Sequence, residues 1–278
     1  MLGIALCLDA GGVPLNGSFA TTIACLALLL FGLPHGSLDI ALLGNATRAG
    51  VRRTVAVILL YLGCAAAMYL AWRIAPALAL GVFLVLACIH FAEDWRDTLP
   101  SFFAVGTAIA MLTAPVFRHR AEVGDIYVRL TGVPASAIWM EVGILVAPVA
   151  LIAAFVGIGL LDCRTKAVET AMSLLGMVLL PPIIGFALFF CLSHSPTHLA
   201  ATLKCLDGGS RKRRALEIAV VTLAALGISA LIFGHRAAAS AGEAAIVASF
   251  VTLSILTVPH MLMPHLVSAF DRGRRPIA

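Results

Sequence analysis

The sequence predicts an all-α, polytopic integral membrane bundle of about nine (eight to nine) transmembrane helices. Three observations carry that expectation. Of 278 residues, 61% are hydrophobic and only 12% charged, and the mean hydropathy of +1.04 lies far outside the range of soluble domains. Apolar stretches close to the ~20 residues needed to cross a bilayer recur along the chain. Basic residues collect in alternate connections, as the positive-inside rule requires.

The first residues, MLGIALCLDAGG, carry an acidic group and no basic start, and their apolar part is too short to span. Residues 1–18 are therefore expected as a short surface segment, and residues 1–278 as a single transmembrane domain. Spans are expected over about 19–43, 54–72, 76–93, 101–117 and 138–161. The stretch 168–203 is too long for one helix and contains Pro181-Pro182, where continuation is disfavoured. It divides into two crossings, and spans over about 215–233 and 244–269 complete the nine.

With the N-terminus outside and the C-terminus cytoplasmic, nine crossings put 14 of the 19 basic residues inside. Merging 168–203 into one span would send the basic segments at 164–166 and 211–214 to opposite faces. Arg118, Arg120 and Arg129 then fall in an outer loop. The net charge of +5 is juxtamembrane charge; without aromatic interleaving or a soluble fold it does not indicate nucleic acid. The seven cysteines form no C-x-x-C pair and read as small buried hydrophobes rather than disulfides or a zinc knuckle.

Six of the eight histidines fall toward the cytoplasmic ends of odd-numbered spans: His35, His90, His194, His198, His260 and His265. His119 and His235 fall in outer loops. Ionisable groups inside spans are expensive and usually face the bundle interior. His194 and His198, spaced i, i+4 in SHSPTH, would point one way on a helix and could share a metal; Pro196 between them could kink or end that helix. His35 taken alone reads equally as a packed, hydrogen-bonded residue or a ligand. His260 reads as a ligand, an orienting group or an interface residue, and His265 as an ordinary edge residue.

Acidic partners stand nearby. Asp39 follows His35 by four residues, and Glu93 and Asp94 follow His90 by three and four. Metal-bound histidines commonly donate their second ring N–H to a carboxylate, whereas Glu93 or Asp94 could equally begin a solvated loop. Neutral imidazoles suit iron, zinc, copper and nickel. The H-E-x-x-H of zinc hydrolases is absent, and di-iron hydroxylases need more histidine boxes. A mononuclear ferrous centre held by about four histidines fits better. Alternatives are a proton or metal-ion transporter using the same His/Asp cluster as a relay, and a bis-histidine haem protein.

GLPHGSLD, HFAEDW, HSPTH and VPHM resemble, in order and approximate spacing from residue 31 to about 265, the Brp/Blh family of bacterial membrane β-carotene 15,15'-dioxygenases. The resemblance implies oxidative cleavage of the central double bond of β-carotene by dioxygen, yielding two all-trans-retinal. It implies a non-haem Fe(2+) cofactor held by His35, His90, His194 and His198, with Asp39 and Asp94 orienting them, Glu93 less so, and His260 as a conditional further ligand or orienter. It also implies a multi-pass bacterial inner-membrane location and a retinal-binding opsin as possible product acceptor. A lipid-soluble polyene would enter from the bilayer into a pocket of small and aromatic residues. Phe31, Phe91, Phe186, Phe189, Phe190 and Trp95 are the aromatic candidates near the histidines. Ala92 stands where the family often has glycine.

Overall fold

The computed structural model describes residues 15, 17–46, 51–205 and 240–272 and a few positions between 216 and 227. For residues 33–46, 51, 53–54, 201–205 and 263–272 it gives the backbone alone. Within these residues the chain is helical and contains no strand. The order is α1 (Ser18–Ala46), α2 (Val51–Ile74), α3 (Pro76–Ala92), a 3-10 turn (Glu93–Trp95), α4 (Ser101–Thr113), α5 (Val116–Thr131), a second 3-10 turn (Pro134–Ala137), α6 (Ile138–Leu160), α7 (Arg164–Leu179), α8 (Pro182–Phe189), a π-turn (Phe190–His194), α9 (Ser195–Cys205) and α10 (Ala241–Arg272).

Five helical segments among the described residues are long and apolar enough to cross a bilayer: Val55–Ile74, Pro76–Trp95, Pro134–Leu160, Pro182–Ala200 and Ala241–Leu262. The apolar part of α1, Ser18–Gly32, is shorter than that, as is the 16-residue α7. The expected span at 215–233 lies outside the described residues.

The stretch after residue 101 differs from expectation. A single span over 101–117 followed by an outer loop was the sequence reading; instead two helices, α4 and α5, meet at a bend of 67°. Pro115 stands at the junction, and its missing N–H and fixed φ stop α4 from running on. In α5 the apolar residues Val123, Ile126, Tyr127 and Leu130 recur at helical spacing, with Arg118, Arg120, Glu122, Asp125 and Arg129 between them. That pattern makes an amphipathic helix suited to the interface plane. Gly132, at φ 72°, ends it in the left-handed conformation that glycine adopts without penalty.

The break expected at Pro181-Pro182 is present. The α7 helix stops at Leu179, Leu180 and Pro181 are extended, and Pro182 starts α8, where a first-turn proline fits. The chain then folds back tightly: a Cβ on Gly185 would lie 2.9 Å from the Gly176 carbonyl oxygen, so only glycine permits the α7–α8 approach.

Lipid tails are as apolar as leucine, so helices in a bilayer associate through close packing and interhelical hydrogen bonds. Small residues do this where α4 meets α6: Gly106 abuts Ala153, and Ala108, Ala147 and Ala154 are fully buried. The α10 helix packs along α1 and α2, and Trp72 Nε1 donates to Ser254 Oγ at 2.7 Å.

Gly185→Leu is expected to cost about 1–3 kcal/mol through overpacking. Gly159→Ala, where an added Cβ meets nothing within 4 Å, is expected to be neutral or to gain about 0.5–1 kcal/mol. Thermal unfolding of the two variants in detergent checks the contrast.

Candidate functional site

The ends of two helical segments bring the site together. The α3 helix places His90 in its last turn, and the 3-10 turn that follows turns Asp94 inward. The second segment runs α8, π-turn, α9 and carries His194 and His198. Pro196 has no N–H to give the i−4 carbonyl, and the chain answers not by ending but by widening: the Ser195 N–H bonds the Phe190 carbonyl in the i−5 pattern. Single π-turns of this kind are frequent at functional sites. The extra residue in the turn brings two consecutive phenylalanines toward His194, with ring centroids at 6.2 Å for Phe189 and 5.3 Å for Phe190.

One carboxylate organises the imidazoles. Asp94, whose side chain is only 2% exposed, accepts from His194 Nδ1 at Oδ2 and from His198 Nε2 at Oδ1, both at 3.0 Å. Glu93 Oε2 lies 3.5 Å from His90 Nδ1. An imidazole donating from Nδ1 carries its lone pair on Nε2. The Nε2 atoms of His90 and His194 lie 3.2 Å apart. Metal–nitrogen bonds of about 2.1 Å at right angles hold two nitrogens about 3 Å apart, so this donor pair has the spacing of adjacent ligands. Ring nitrogens of His90, His194 and His198 lie within 4.8 Å of one another and could hold a metal ion. His260 of α10 stands edge-on to His90 with centroids 5.2 Å apart.

A polar frame supports the cluster from behind. Trp95 Nε1 donates to Thr170 Oγ1 at 3.0 Å, Lys166 Nζ lies 5.9 Å over the Trp95 ring, and Ser193 Oγ donates to Glu169 Oε1 at 2.5 Å. Ser195 Oγ donates to the Phe31 carbonyl at 2.6 Å, tying α9 to α1, the helix whose backbone carries His35 and Asp39. At that crossing a Cβ on Gly32 would meet Leu253 at 2.6 Å and Phe190 at 3.2 Å.

The structure thus unites His90, His194, His198, Asp94, Glu93 and His260. The side chains of His35, Asp39 and His265, and the whole of His235, lie outside the described residues. His119 sits apart, at a non-helical position of α5, 3.4 Å from Glu122. Of the aromatic candidates, Phe91 packs against His194 at 4.6 Å and Phe186 against Phe91 at 6.1 Å. Phe31 is 44% exposed, and its carbonyl accepts the Ser195 hydroxyl. Trp95 is a buried strut bonded to Thr170. Glu169 was missed; a lone carboxylate at the start of a long apolar stretch was the available signal. Ser195 lay inside a quoted motif, but only the packing of α9 on α1 gives it a partner.

A family model described as beta-carotene 15,15'-dioxygenase matches residues 26–268 of the chain. The beta-carotene 15,15'-dioxygenase of an uncultured marine bacterium is 30% identical over 258 residues, covering 86% of this chain and 90% of that protein. The probable beta-carotene 15,15'-dioxygenase Blh of Halobacterium salinarum is 25% identical over 299 residues, covering 90% of this chain and 85% of that protein. No solved structure matches the chain.

Ser195→Ala removes the tie between α9 and α1 and is expected to cost about 1 kcal/mol, with Ser195→Thr closer to the parent. Equal thermal midpoints for the alanine variant and the parent in detergent would mean that the hydroxyl contributes nothing there.

Proposed function

The chain belongs to the beta-carotene 15,15'-dioxygenase family, and we propose that it cleaves the central double bond of β-carotene with dioxygen to give two all-trans-retinal. It is an oxidoreductase of the carotenoid cleavage dioxygenase class. The reaction balances without further reactants: the C15=C15' bond breaks, each of its carbons gains one oxygen atom, and one dioxygen is consumed.

The observation that carries the reading is the convergence of the His90 and His194 Nε2 atoms at 3.2 Å, with Asp94 behind His194 and Glu93 beside His90. His35, His90, His194 and His198 would hold Fe(2+), which supplies the one-electron chemistry that lets dioxygen react with a closed-shell alkene. Imidazole suits iron, zinc, copper and nickel alike; the redox character of the reaction is what favours iron over zinc, and neutral ligands leave the ion's positive charge uncancelled within the first ring of donors.

The protein's own groups do the rest. Asp94 fixes the orientation and tautomer of two imidazoles at once and raises their basicity. Glu93 does the same for His90, and His260 packs against the far edge of that ring. Phe91, Phe189 and Phe190 line the approach to His194 with apolar surface, keeping water from the reacting bond and giving a polyene matching walls. A substrate that dissolves in lipid reaches such a site laterally, without a carrier. The accompanying arrangement is a single membrane domain with about nine (eight to nine) crossings, N-terminus outside and C-terminus cytoplasmic, in the cell membrane, with a retinal-binding opsin as product acceptor.

Expression in a bacterial host that accumulates β-carotene, followed by chromatography of the pigments, tests the reaction; β-carotene retained in the presence of folded, iron-loaded protein overturns it. His35→Ala, His90→Ala, His194→Ala and His198→Ala are each expected to abolish retinal formation and to lower bound iron, while His119→Ala does neither. Wild-type iron content and activity in any of the four would remove that residue from the ligand set. Asp94→Asn replaces one acceptor by a donor that must face an imidazole, and is expected to weaken iron binding about 10- to 100-fold. Metal titration with elemental analysis of the purified variant reads that loss.

A further inference from the structure

Two segments carry the histidine cluster, and one helix grips both of them right beside it. Trp95, the residue after Asp94, gives its Nε1–H to Thr170 Oγ1 of α7 at 3.0 Å. Ser193, the residue before His194, gives its hydroxyl to Glu169 Oε1 of the same helix at 2.5 Å. Adjacent residues of α7 thus hold the neighbours of the two side chains, Asp94 and His194, that bond each other at 3.0 Å. The Thr170 hydroxyl is itself aimed, because it donates to the Lys166 carbonyl at 2.8 Å. Glu122, Asp125 and Glu243 serve elsewhere, lining a polar cavity of about 320 Å³ near the start of α10, where Arg129 pairs with Glu243 and His119 with Glu122. Glu169 instead takes a hydroxyl from the edge of the cluster.

The register of α7 on α8 sets this meeting. From the close approach of Gly176 and Gly185, Ser193 stands about 12 Å further along its segment and Glu169 about 10.5 Å back along α7, at a rise of about 1.5 Å per residue. The two helices run in opposite senses from the break at Pro181, so these lengths lead to the same level. Glu169 also shares a face of α7 with Gly176, two helical turns away. Ser193 belongs to the π-turn Phe190–His194. Its internal bonds, Ser195 N–H to the Phe190 carbonyl and Thr197 Oγ1 to the Ser193 carbonyl at 2.7 Å, run along the segment and leave its rotation about that axis unfixed. The π-turn is a rare conformation with one residue more than an α-turn, so rotation decides where His194 points. Sideways bonds come from the two residues flanking His194: Ser195 reaches the Phe31 carbonyl of α1, and Ser193 reaches Glu169 of α7.

We propose that Glu169 is a positioning residue of the metal-binding cluster: by holding Ser193 it fixes the rotation of the π-turn, and with it the direction of the His194 ring toward His90 and Asp94. The proposal rests on the reading that this cluster holds the ferrous ion. Glu169 acts as a hydrogen-bond acceptor and through Ser193, so an amide oxygen in the same place can substitute for it.

Purified full-length protein in detergent, stripped of metal and titrated anaerobically with Fe(2+), tests this, with the visible absorption of the Co(2+)-substituted protein as a second readout of ligand arrangement. Glu169→Ala is expected to weaken iron binding about tenfold and to shift the Co(2+) bands. Glu169→Gln, which keeps an acceptor oxygen, is expected to restore most of the affinity. Ser193→Ala is expected to reproduce Glu169→Ala, and the double variant to be no weaker than either one, as for residues acting through one bond. Glu122→Ala, in the cavity near α10, is the control and is expected to move neither readout. Parent affinity and spectrum in folded Glu169→Ala overturn the proposal, as do losses that add in the double variant or that Glu169→Gln shares in full. Where Glu169→Ala fails to fold, Ser193→Ala decides: parent affinity and spectrum in that variant overturn the proposal. A parent that binds iron yet forms no retinal removes the cleavage reading and leaves the positioning role standing; a parent that binds no iron removes both.

Discussion

The site depends on burying one carboxylate, Asp94, among apolar helices. A carboxylate in such surroundings is costly unless its oxygens are fully occupied. Asp94 meets that condition by taking one imidazole on each oxygen, and the two imidazoles come from a segment a hundred residues further on. The turn after α3 must therefore lie against the π-turn and α9, and no sliding of one helix past the other keeps both bonds. Much of the surrounding packing follows: Trp95 reaches Thr170, Ser193 reaches Glu169, and Ser195 reaches the backbone of α1.

Breaks in the helices are concentrated where the function needs them. Pro196 directly follows the widened turn that presents His194, Pro181 separates α7 from α8, which approach closely at Gly185, and Pro115 stands at the bend after which α5 buries Val123 and Leu130. In a bilayer, irregular backbone is tolerated only where it is buried in protein or lines a cavity. Pro115 and Pro181 are buried, whereas Pro196 is exposed and it is the preceding Ser193, His194 and Ser195 that are buried. On α6 the large apolar residues Leu145, Val149, Ile152 and Phe155 are exposed.

The chemistry and the solvent are matched. The reacting bond of a carotenoid has no polar handle, so recognition has to come from shape and length, and a dry, aromatic-walled bundle interior provides both. Around the histidine cluster the polar groups are the imidazoles and their carboxylates, and the neighbouring walls are the rings of Phe91, Phe189 and Phe190. The polar cavity near α10 is kept apart by the α8 start and the Arg129–Glu243 ion pair.

Composition and periodicity determined the class: with so few charges and so many apolar stretches, only helices whose backbone bonds are internally satisfied can form. That His90, His194, His198 and Asp94 would need partners was legible too, because an ionisable residue in such a chain is costly without one, and these four do meet in the structure. The count of crossings and the nature of residues 118–131 were not, since the helical stripe of α5 mixes charge and apolar surface and reads as a loop when only mean hydropathy is followed. Nor could the sequence say what Pro196 would do, because a kink, a stop and a π-turn cost similar amounts locally and tertiary packing chooses among them. Which carboxylate serves which imidazole and the supporting part of Glu169 and Ser195 are contacts between residues far apart in the chain; only the packed bundle brings them within bonding distance.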